Sequence, residues 1–161
     1  MTIKVGDKLP NATFRVMTAE GPKPKTTDDI FKGKKVALFA VPGAYTPTCS
    51  NQHMPSFVNN AAAIKAKGVD TIAVTAINDV FVLDAWKKAT NADGKVDFLS
   101  DGNGEFTNAI GMGFDGSGLG LGTRSKRYSM LVDNGVVKSL NVEDSPGQCS
   151  ISGGEALLKQ L

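Results

Sequence analysis

The sequence is poor in the residues that build disulfide frameworks and metal sites, because its 161 residues include only two cysteines and one histidine. A chain of this length can bury a core without covalent links, and two cysteines would form a weak set of them. One histidine with two distant cysteines also lacks the ligand spacing of a zinc site. We therefore expect neither a disulfide scaffold nor a bound metal.

Long hydrophobic runs and a strong charge imbalance are missing as well. The longest apolar stretch, from Val36 to Pro42, is far shorter than the roughly 20 residues that span a bilayer. Residues 1–7 contain no apolar segment typical of a secretion signal, so we expect a cytoplasmic protein. The net charge is only +2 and the lysines are scattered. Neither a membrane nor a nucleic acid is therefore an expected partner.

The pattern of the first hundred residues predicts strands that alternate with helices in one domain, 1–161. No repeat, low-complexity tract or long linker interrupts the chain. Alternation in 12–17 predicts a half-buried strand, and the Gly21 to Pro24 segment predicts a turn. Continuous apolar runs predict buried strands, and the periodic segments that follow them predict helices. These strands are 35–41 and 71–77, and these helices are 54–64 and 80–89. This order is typical of a βαβ unit with parallel strands.

The second part of the chain completes a mixed sheet. Residues 96–100 predict a further strand, residues 105–110 a short helix and residues 155–161 a terminal helix. Six glycines in 111–122 favour a loop that folds over a site or stays mobile. Asp133-Asn134-Gly135 between apolar runs predicts a hairpin over 127–140 with a type I′ turn. The expected fold class is α/β, with a mixed central sheet and helices on both faces.

Cys49 is the candidate reactive residue, because it follows the best predicted strand and falls in the first turn of the next helix. Free peptide N–H groups and the helix dipole at that place favour a thiolate, whereas the alternative is a small buried hydrophobic residue. Thr46 can place its hydroxyl on the same face as the sulfur and bond both the thiolate and an incoming oxygen, or it can cap the helix. Pro42 and Pro47 either shield the site or simply shape the turn.

The spacing of Pro42, Thr46 and Cys49 in PGAYTPTCS resembles the active-site motif of the peroxiredoxins. Other segments in the same order are similar to the type II, peroxiredoxin-five-like subgroup, and the resemblance covers nearly the whole chain. These segments are His53-Met54-Pro55, Ile77-Asn78-Asp79, Ala85-Trp86, Ser100-Asp101-Gly102 and Gly122 to Tyr128. The resemblance implies a thioredoxin-like fold without a metal or other cofactor. It also implies thiol-dependent reduction of hydrogen peroxide and alkyl hydroperoxides.

The resemblance also implies roles for individual residues. Cys49 would attack the distal peroxide oxygen as a thiolate and become a sulfenic acid. Arg127 would hold the thiolate and polarise the peroxide, since its planar donors can serve two acceptors. Arg124 is a candidate for support of the site or for a subunit contact. Backbone N–H groups of Cys49, Gly43 or Ala44 would complete the peroxide cradle.

The thiol that resolves the sulfenic acid is left open by the sequence. Cys149 is a candidate for an intramolecular disulfide, although some members of the resembled subgroup place this cysteine nearer Ile151. A two-residue shift keeps side chains on the same side of an extended segment. The alternative is an external thiol, from glutathione with glutaredoxin or from thioredoxin.

Two other functions and an oligomeric state complete the expectations. His53, four residues after Cys49, could form a Cys–His pair of a hydrolase, although a structural or supporting role is favoured because no residue that orients His53 is evident. A redox-inert binding module on the same fold is the third alternative. A homodimer is expected from the resemblance, with Tyr45 and the 111–122 segment as candidate contacts.

Overall fold

A computed structural model of the protein describes residues 2–161 and has a seven-stranded mixed sheet at its centre. The strands are β1 (Thr13–Thr18), β2 (Gly21–Thr26), β3 (Lys35–Ala40), β4 (Thr71–Ala76), β5 (Asp97–Ser100), β6 (Gly113–Asp115), β7 (Thr123–Ser125), β8 (Tyr128–Asp133) and β9 (Val136–Val142). The helices are α1 (Thr27–Phe31), α2 (Met54–Ala66), α3 (Val80–Ala89), α4 (Glu105–Ala109) and α5 (Gly154–Lys159). The strand order is β2-β1-β5-β4-β3-β8-β9, with β3, β4 and β5 parallel and every other pair antiparallel.

Strand β3 explains why helices cover both faces of the sheet. Val36, Leu38 and Ala40 belong to one buried cluster, and Ala37 and Phe39 belong to another. The first cluster contains apolar side chains of α1 and α4, and the second contains those of α2, α3 and α5. Each fully buried large side chain contributes on the order of 2 kcal/mol through removal from water. The predicted fold class, with helices on both faces, is confirmed.

The predicted turn at Gly21 to Pro24 is wrong, because these residues form most of β2, which pairs antiparallel with β1. The signal was misleading since proline usually breaks a strand. Pro22 and Pro24 are tolerated because β2 is the edge of the sheet, and alternate residues of an edge strand turn their nitrogen atoms away from the neighbouring strand. Helix α1, which has only five residues, follows directly and is too short for its periodicity to be recognised.

The glycine-rich segment 111–122 is more ordered than predicted. Strand β6 pairs with β7 as a two-stranded ribbon, and a 3₁₀ turn, Ser117–Leu119, connects them. The N–H of Gly116 donates to the carbonyl of Gly122 at 2.7 Å and closes the ribbon. Glycine-rich strands carry little alternation of polar and apolar residues, so the pattern did not indicate β6.

The hairpin of β8 and β9 is confirmed and positions the residues that precede β8. Asn134 and Gly135 both have positive φ, 50° and 79°, as a type I′ turn requires. Tyr128 pairs with Ala40 because β8 runs antiparallel to β3. Arg127 therefore lies beside the carboxyl end of β3, where the loop with Cys49 begins. None of the helices within residues 2–161 is long and apolar enough to cross a membrane.

Candidate active site

The loop after β3, residues 42–48, is held by hydrogen bonds within itself and to the end of β4. The Thr46 hydroxyl donates to the carbonyl of Gly43 at 2.7 Å, and the N–H of Ala44 donates to Asn78 Oδ1 at 2.9 Å. The bond to Asn78 uses the single donor that Ala44 could offer a peroxide. No hydrogen bond within residues 2–161 joins the Thr46 hydroxyl to the Cys49 sulfur. Its bonding to a peroxide stays a prediction, since the oxygen lone pairs can still accept.

Cys49 lies in the first turn of the helix that begins at Pro47, as predicted, but this helix takes a π-helical form over Cys49–His53. The N–H of Met54 donates to the carbonyl of Cys49, five residues earlier. Such a turn accommodates one extra residue and is frequent at functional sites. Trp86 on α3 donates from Nε1 to Ser50 Oγ at 3.0 Å and fixes the turn from the side. The Cys49 side chain is fully buried.

Arg127 connects three parts of the site through its buried guanidinium group. Nη2 donates to Cys49 Sγ at 2.9 Å, Nη1 donates to His53 Nδ1 at 2.9 Å, and Nε donates to the carbonyl of Pro146 at 3.0 Å. The side chain is among the largest fully buried ones. A charged donor in such a place strengthens its hydrogen bonds and stabilises negative charge on the sulfur.

His53 is neutral, with its proton on Nε2. Since Arg127 can only donate, His53 Nδ1 must accept, and Nε2 therefore donates to the carbonyl of Ser152 at 2.9 Å. Burial, together with the positive charge of Arg127, lowers the pKa of His53 to about 3. The imidazole has no free lone pair for the proton of Cys49. The hydrolase hypothesis, which needs His53 as a base, has no support in this geometry.

Arg124 supports the loop from outside and does not contact the sulfur. Its Nη1 donates to the carbonyl of Pro42 at 3.3 Å, and its Nε donates to the carbonyl of Leu121 at 3.0 Å. A Cβ atom on Gly43 would lie 2.8 Å from Arg124 Nη1, so the absence of a side chain at Gly43 allows this approach. The ribbon of β6 and β7 is thereby attached to the loop.

The segment that carries Cys149, residues 144–153, is attached to the Cys49 turn at several points. The hydroxyl of Thr48 donates to the carbonyl of Gly147 at 3.0 Å, next to the Arg127 contact with Pro146. Both cysteines are free thiols, and burial raises the pKa of Cys149. The structure therefore brings the Cys149 segment to the turn that holds Cys49.

Several groups that position the site had no role assigned from the sequence: Asn78 and Trp86, which were named only within segments of the family resemblance, and Ser50, Pro146 and Ser152. Asn78 had a usable signal, because it directly follows a buried strand at the sheet edge where the reactive loop begins. Pro146 and Ser152 act through backbone carbonyls, for which residue type gives no signal. Residues 2–161 contain no group of three His, Cys, Asp or Glu side chains arranged to hold a metal ion.

Comparisons with known proteins agree with this combination of fold and thiol site. The Redoxin family model matches residues 4–158. The chain is 46% identical to Peroxiredoxin-2E, chloroplastic, of Arabidopsis thaliana over 99% of this chain and 70% of that protein. It is 42% identical to Hybrid peroxiredoxin hyPrx5 of Haemophilus influenzae over 100% of this chain and 67% of that protein.

A solved structure extends the agreement to three dimensions. The crystal structure of reduced Prx3 in complex with hydrogen peroxide from Vibrio vulnificus superposes with a TM-score of 0.94 at 47% identity. The match covers 99% of each chain. The fold and site define a thioredoxin-like protein with a buried, arginine-bonded thiol. The chain belongs to the Redoxin family as a peroxiredoxin of the type II, peroxiredoxin-five-like subgroup, and it is a thiol-dependent peroxidase.

The lowered pKa of His53 predicts a specific loss of stability in acid. The unfolded chain binds a proton at His53 below about pH 6.5, but the folded protein does so only near pH 3, so stability falls as the pH falls through this window. Between pH 7 and pH 5 the wild type should lose about 2 kcal/mol more unfolding free energy than His53→Gln. Denaturant unfolding at both pH values measures the difference, and equal losses in the two proteins would contradict it.

Proposed function

We propose that Cys49 is the residue that reduces hydrogen peroxide and alkyl hydroperoxides in this peroxiredoxin. The thiolate attacks the distal oxygen, a sulfur–oxygen bond forms and the oxygen–oxygen bond breaks. Sulfur is oxidised to a sulfenic acid by two electrons, and the other oxygen departs as hydroxide or alkoxide and takes up a proton to become water or alcohol. The observation that carries this proposal is the 2.9 Å hydrogen bond from Arg127 to the fully buried Cys49 sulfur.

Arg127 can stabilise both ends of the reacting system. Three of its five N–H groups already bond Cys49, His53 and Pro146, which leaves one N–H on each terminal nitrogen. As the reaction proceeds, negative charge moves from sulfur to the departing oxygen. A guanidinium fixed beside the sulfur can stabilise the negative charge on both atoms without moving. One such donor lowers the free energy of the transition state by on the order of 3 kcal/mol.

Replacing Arg127 tests this electrostatic role. Arg127→Gln should slow the reaction of Cys49 with hydrogen peroxide by about 10²-fold, because the fixed charged donors are lost. Competition for peroxide with a reference peroxidase measures the rate constant. Arg15→Gln, on the exposed face of β1, is the matched control and should react like the wild type. A variant at Arg127 with the wild-type rate would contradict the role, and peroxide reduction by Cys49→Ser would overturn the function.

We further propose that Cys149 resolves the sulfenic acid. Its thiol attacks the Cys49 sulfur, a disulfide forms and water leaves. The support for this proposal is the attachment of the Cys149 segment to the Cys49 turn through Thr48 and Gly147 and through Arg127 and Pro146. A thiol reductant then returns both cysteines to the reduced state, either thioredoxin or glutathione with glutaredoxin.

Intact mass spectrometry after one equivalent of hydrogen peroxide separates internal from external resolution. The reduced wild type should lose about two mass units as the disulfide forms, and Cys149→Ser should gain about sixteen as the sulfenic acid persists. Cys49→Ser should stay unchanged in the same interval. A gain of about sixteen in the wild type would show that Cys149 does not resolve Cys49, and it would point to an external thiol.

A homodimer is the proposed assembly, and exposed apolar side chains near the reactive loop support it. Tyr45, Phe81 and Leu119 are 55%, 64% and 80% exposed. Tyr45 adjoins Ala44, Phe81 is the second residue of α3, which begins two residues after Asn78, and Leu119 is at the tip of the ribbon that carries Arg124. Large exposed apolar groups often mark interfaces. Sedimentation should give about twice the chain mass, and Tyr45→Glu with Leu119→Glu should give the monomer. A monomeric wild type would contradict the assembly.

The cytoplasmic location stays a prediction.

A further inference from the structure

Glu143, which follows β9, is a buried carboxylate whose hydrogen bonds all go to one short segment. It accepts from the N–H of Ser150 at 2.9 Å, from the Ser150 hydroxyl at 3.1 Å and from the N–H of Ser152 at 2.7 Å, and it also accepts from the Ser152 hydroxyl. Burial raises its pKa, but these four hydrogen bonds outweigh burial and hold the pKa below the ordinary value. Glu143 is therefore an ionised clamp on the segment 150–152.

The clamp reaches the reactive sulfur through two further contacts. The carbonyl of Ser152 accepts from His53 Nε2, and this bond keeps the proton on Nε2. Nδ1 of His53 is then free to accept from Arg127 Nη1, while Nη2 of the same guanidinium donates to Cys49. A His53 with its proton on Nδ1 would point a donor at the guanidinium and push it away.

Glu143 has no ion pair with Arg127 within residues 2–161, although the two residues are neighbours across the backbone. The N–H of Glu143 donates to the carbonyl of Arg127 at 3.0 Å. The carboxylate instead faces the serines. The hydrogen-bonded route from Glu143 to the guanidinium side chain therefore runs through Ser152 and His53.

We propose that Glu143 is a positioning residue for peroxide reduction, which holds Ser152 so that neutral His53 fixes Arg127 against Cys49. The inference rests on the proposed function of Cys49. It assigns a role in peroxide reduction to the segment 144–153, in addition to its carrying Cys149. A displaced segment would leave Arg127 without its acceptor on His53 and without its acceptor on Pro146.

The test measures the peroxide step alone, in a Cys149→Ser background, by competition for peroxide with a reference peroxidase, and dimedone labels the Cys49 sulfenic acid that forms. Glu143→Gln cannot accept all four hydrogen bonds, and it should slow this step by about tenfold through misplacement of Arg127. Glu155→Gln makes the same chemical change at an exposed residue of α5, whose carboxylate has one hydrogen bond within residues 2–161, accepted from Asn60 at 3.3 Å. It should stay within about twofold of the parent. A folded Glu143→Gln protein with the parent rate would overturn the proposal.

A double-mutant cycle separates positioning from a general effect on folding. In an Arg127→Gln protein, Glu143→Gln should cause no further loss, because the group through which it acts is gone. An equal tenfold loss in both backgrounds would overturn the proposal. If Glu143→Gln does not fold, Ser152→Ala removes one hydroxyl contact and keeps the carbonyl; it should slow the step by about threefold, again only when Arg127 is present. A rate unaffected by Ser152→Ala would then count against the clamp.

Formation of the dimedone adduct distinguishes the two levels of the account. If Cys49→Ser reduces peroxide as fast as the parent protein, the function proposed for Cys49 fails, whatever Glu143 does. If the parent forms the adduct and Cys49→Ser does not, but Glu143→Gln matches the parent rate, the function stands and the positioning role fails.

Discussion

A buried guanidinium group must find acceptors for its N–H donors, and this requirement organises the site around Arg127. Its three observed acceptors come from two segments: Cys49 and His53 at the two ends of one turn, and Pro146 in the segment after β9. Each acceptor removes part of the cost of placing a charge away from water. The same bonds leave the charge beside the one atom in the site that becomes negative. Stability and reactivity therefore depend on the same contacts.

The sheet explains how these segments meet. The carboxyl end of β3 leads into the loop and turn that hold Cys49, and antiparallel β8 begins beside that end with Arg127 just before it. Strand β9 returns to the same edge and ends next to Glu143, which then holds the following segment over His53. The hairpin thus places Arg127 just before β8 and Glu143 just after β9, and Glu143 orients the segment whose Ser152 carbonyl holds His53 beside Arg127. A neutral His53 follows from this arrangement, because burial disfavours its charged form and a second positive charge beside Arg127 would be unfavourable.

Much of the fold could be predicted because its buried strands are continuous apolar runs in the sequence and its hairpin has an Asn-Gly turn. Strand β2 could not be predicted, because prolines are tolerated in an edge strand but the local sequence does not show which strand is at the edge. Only the pairing of the strands in the folded sheet places β2 there. The π-helical form of the Cys49 turn could not be predicted either. It arises from one extra residue in a helical turn, and the spacing of apolar side chains does not reveal such an insertion. Cys49 was a candidate from its position after β3, whereas Arg127 was found through a family resemblance; they are 78 residues apart, and spacing alone does not join them. Ser152 acts through its carbonyl, so no residue type marked its role.

The central claim is that Arg127 makes the Cys49 sulfur selective for peroxides, and the most direct test compares two reagents on the same thiol. Rate constants for hydrogen peroxide and for iodoacetamide would be measured on the reduced protein and on free cysteine at one pH. The ratio of peroxide rate to alkylation rate should be at least about 10²-fold higher for Cys49, because fixed donors aid transfer of charge to a departing oxygen. A ratio equal to that of free cysteine would show a thiol that is merely reactive, and it would contradict the account.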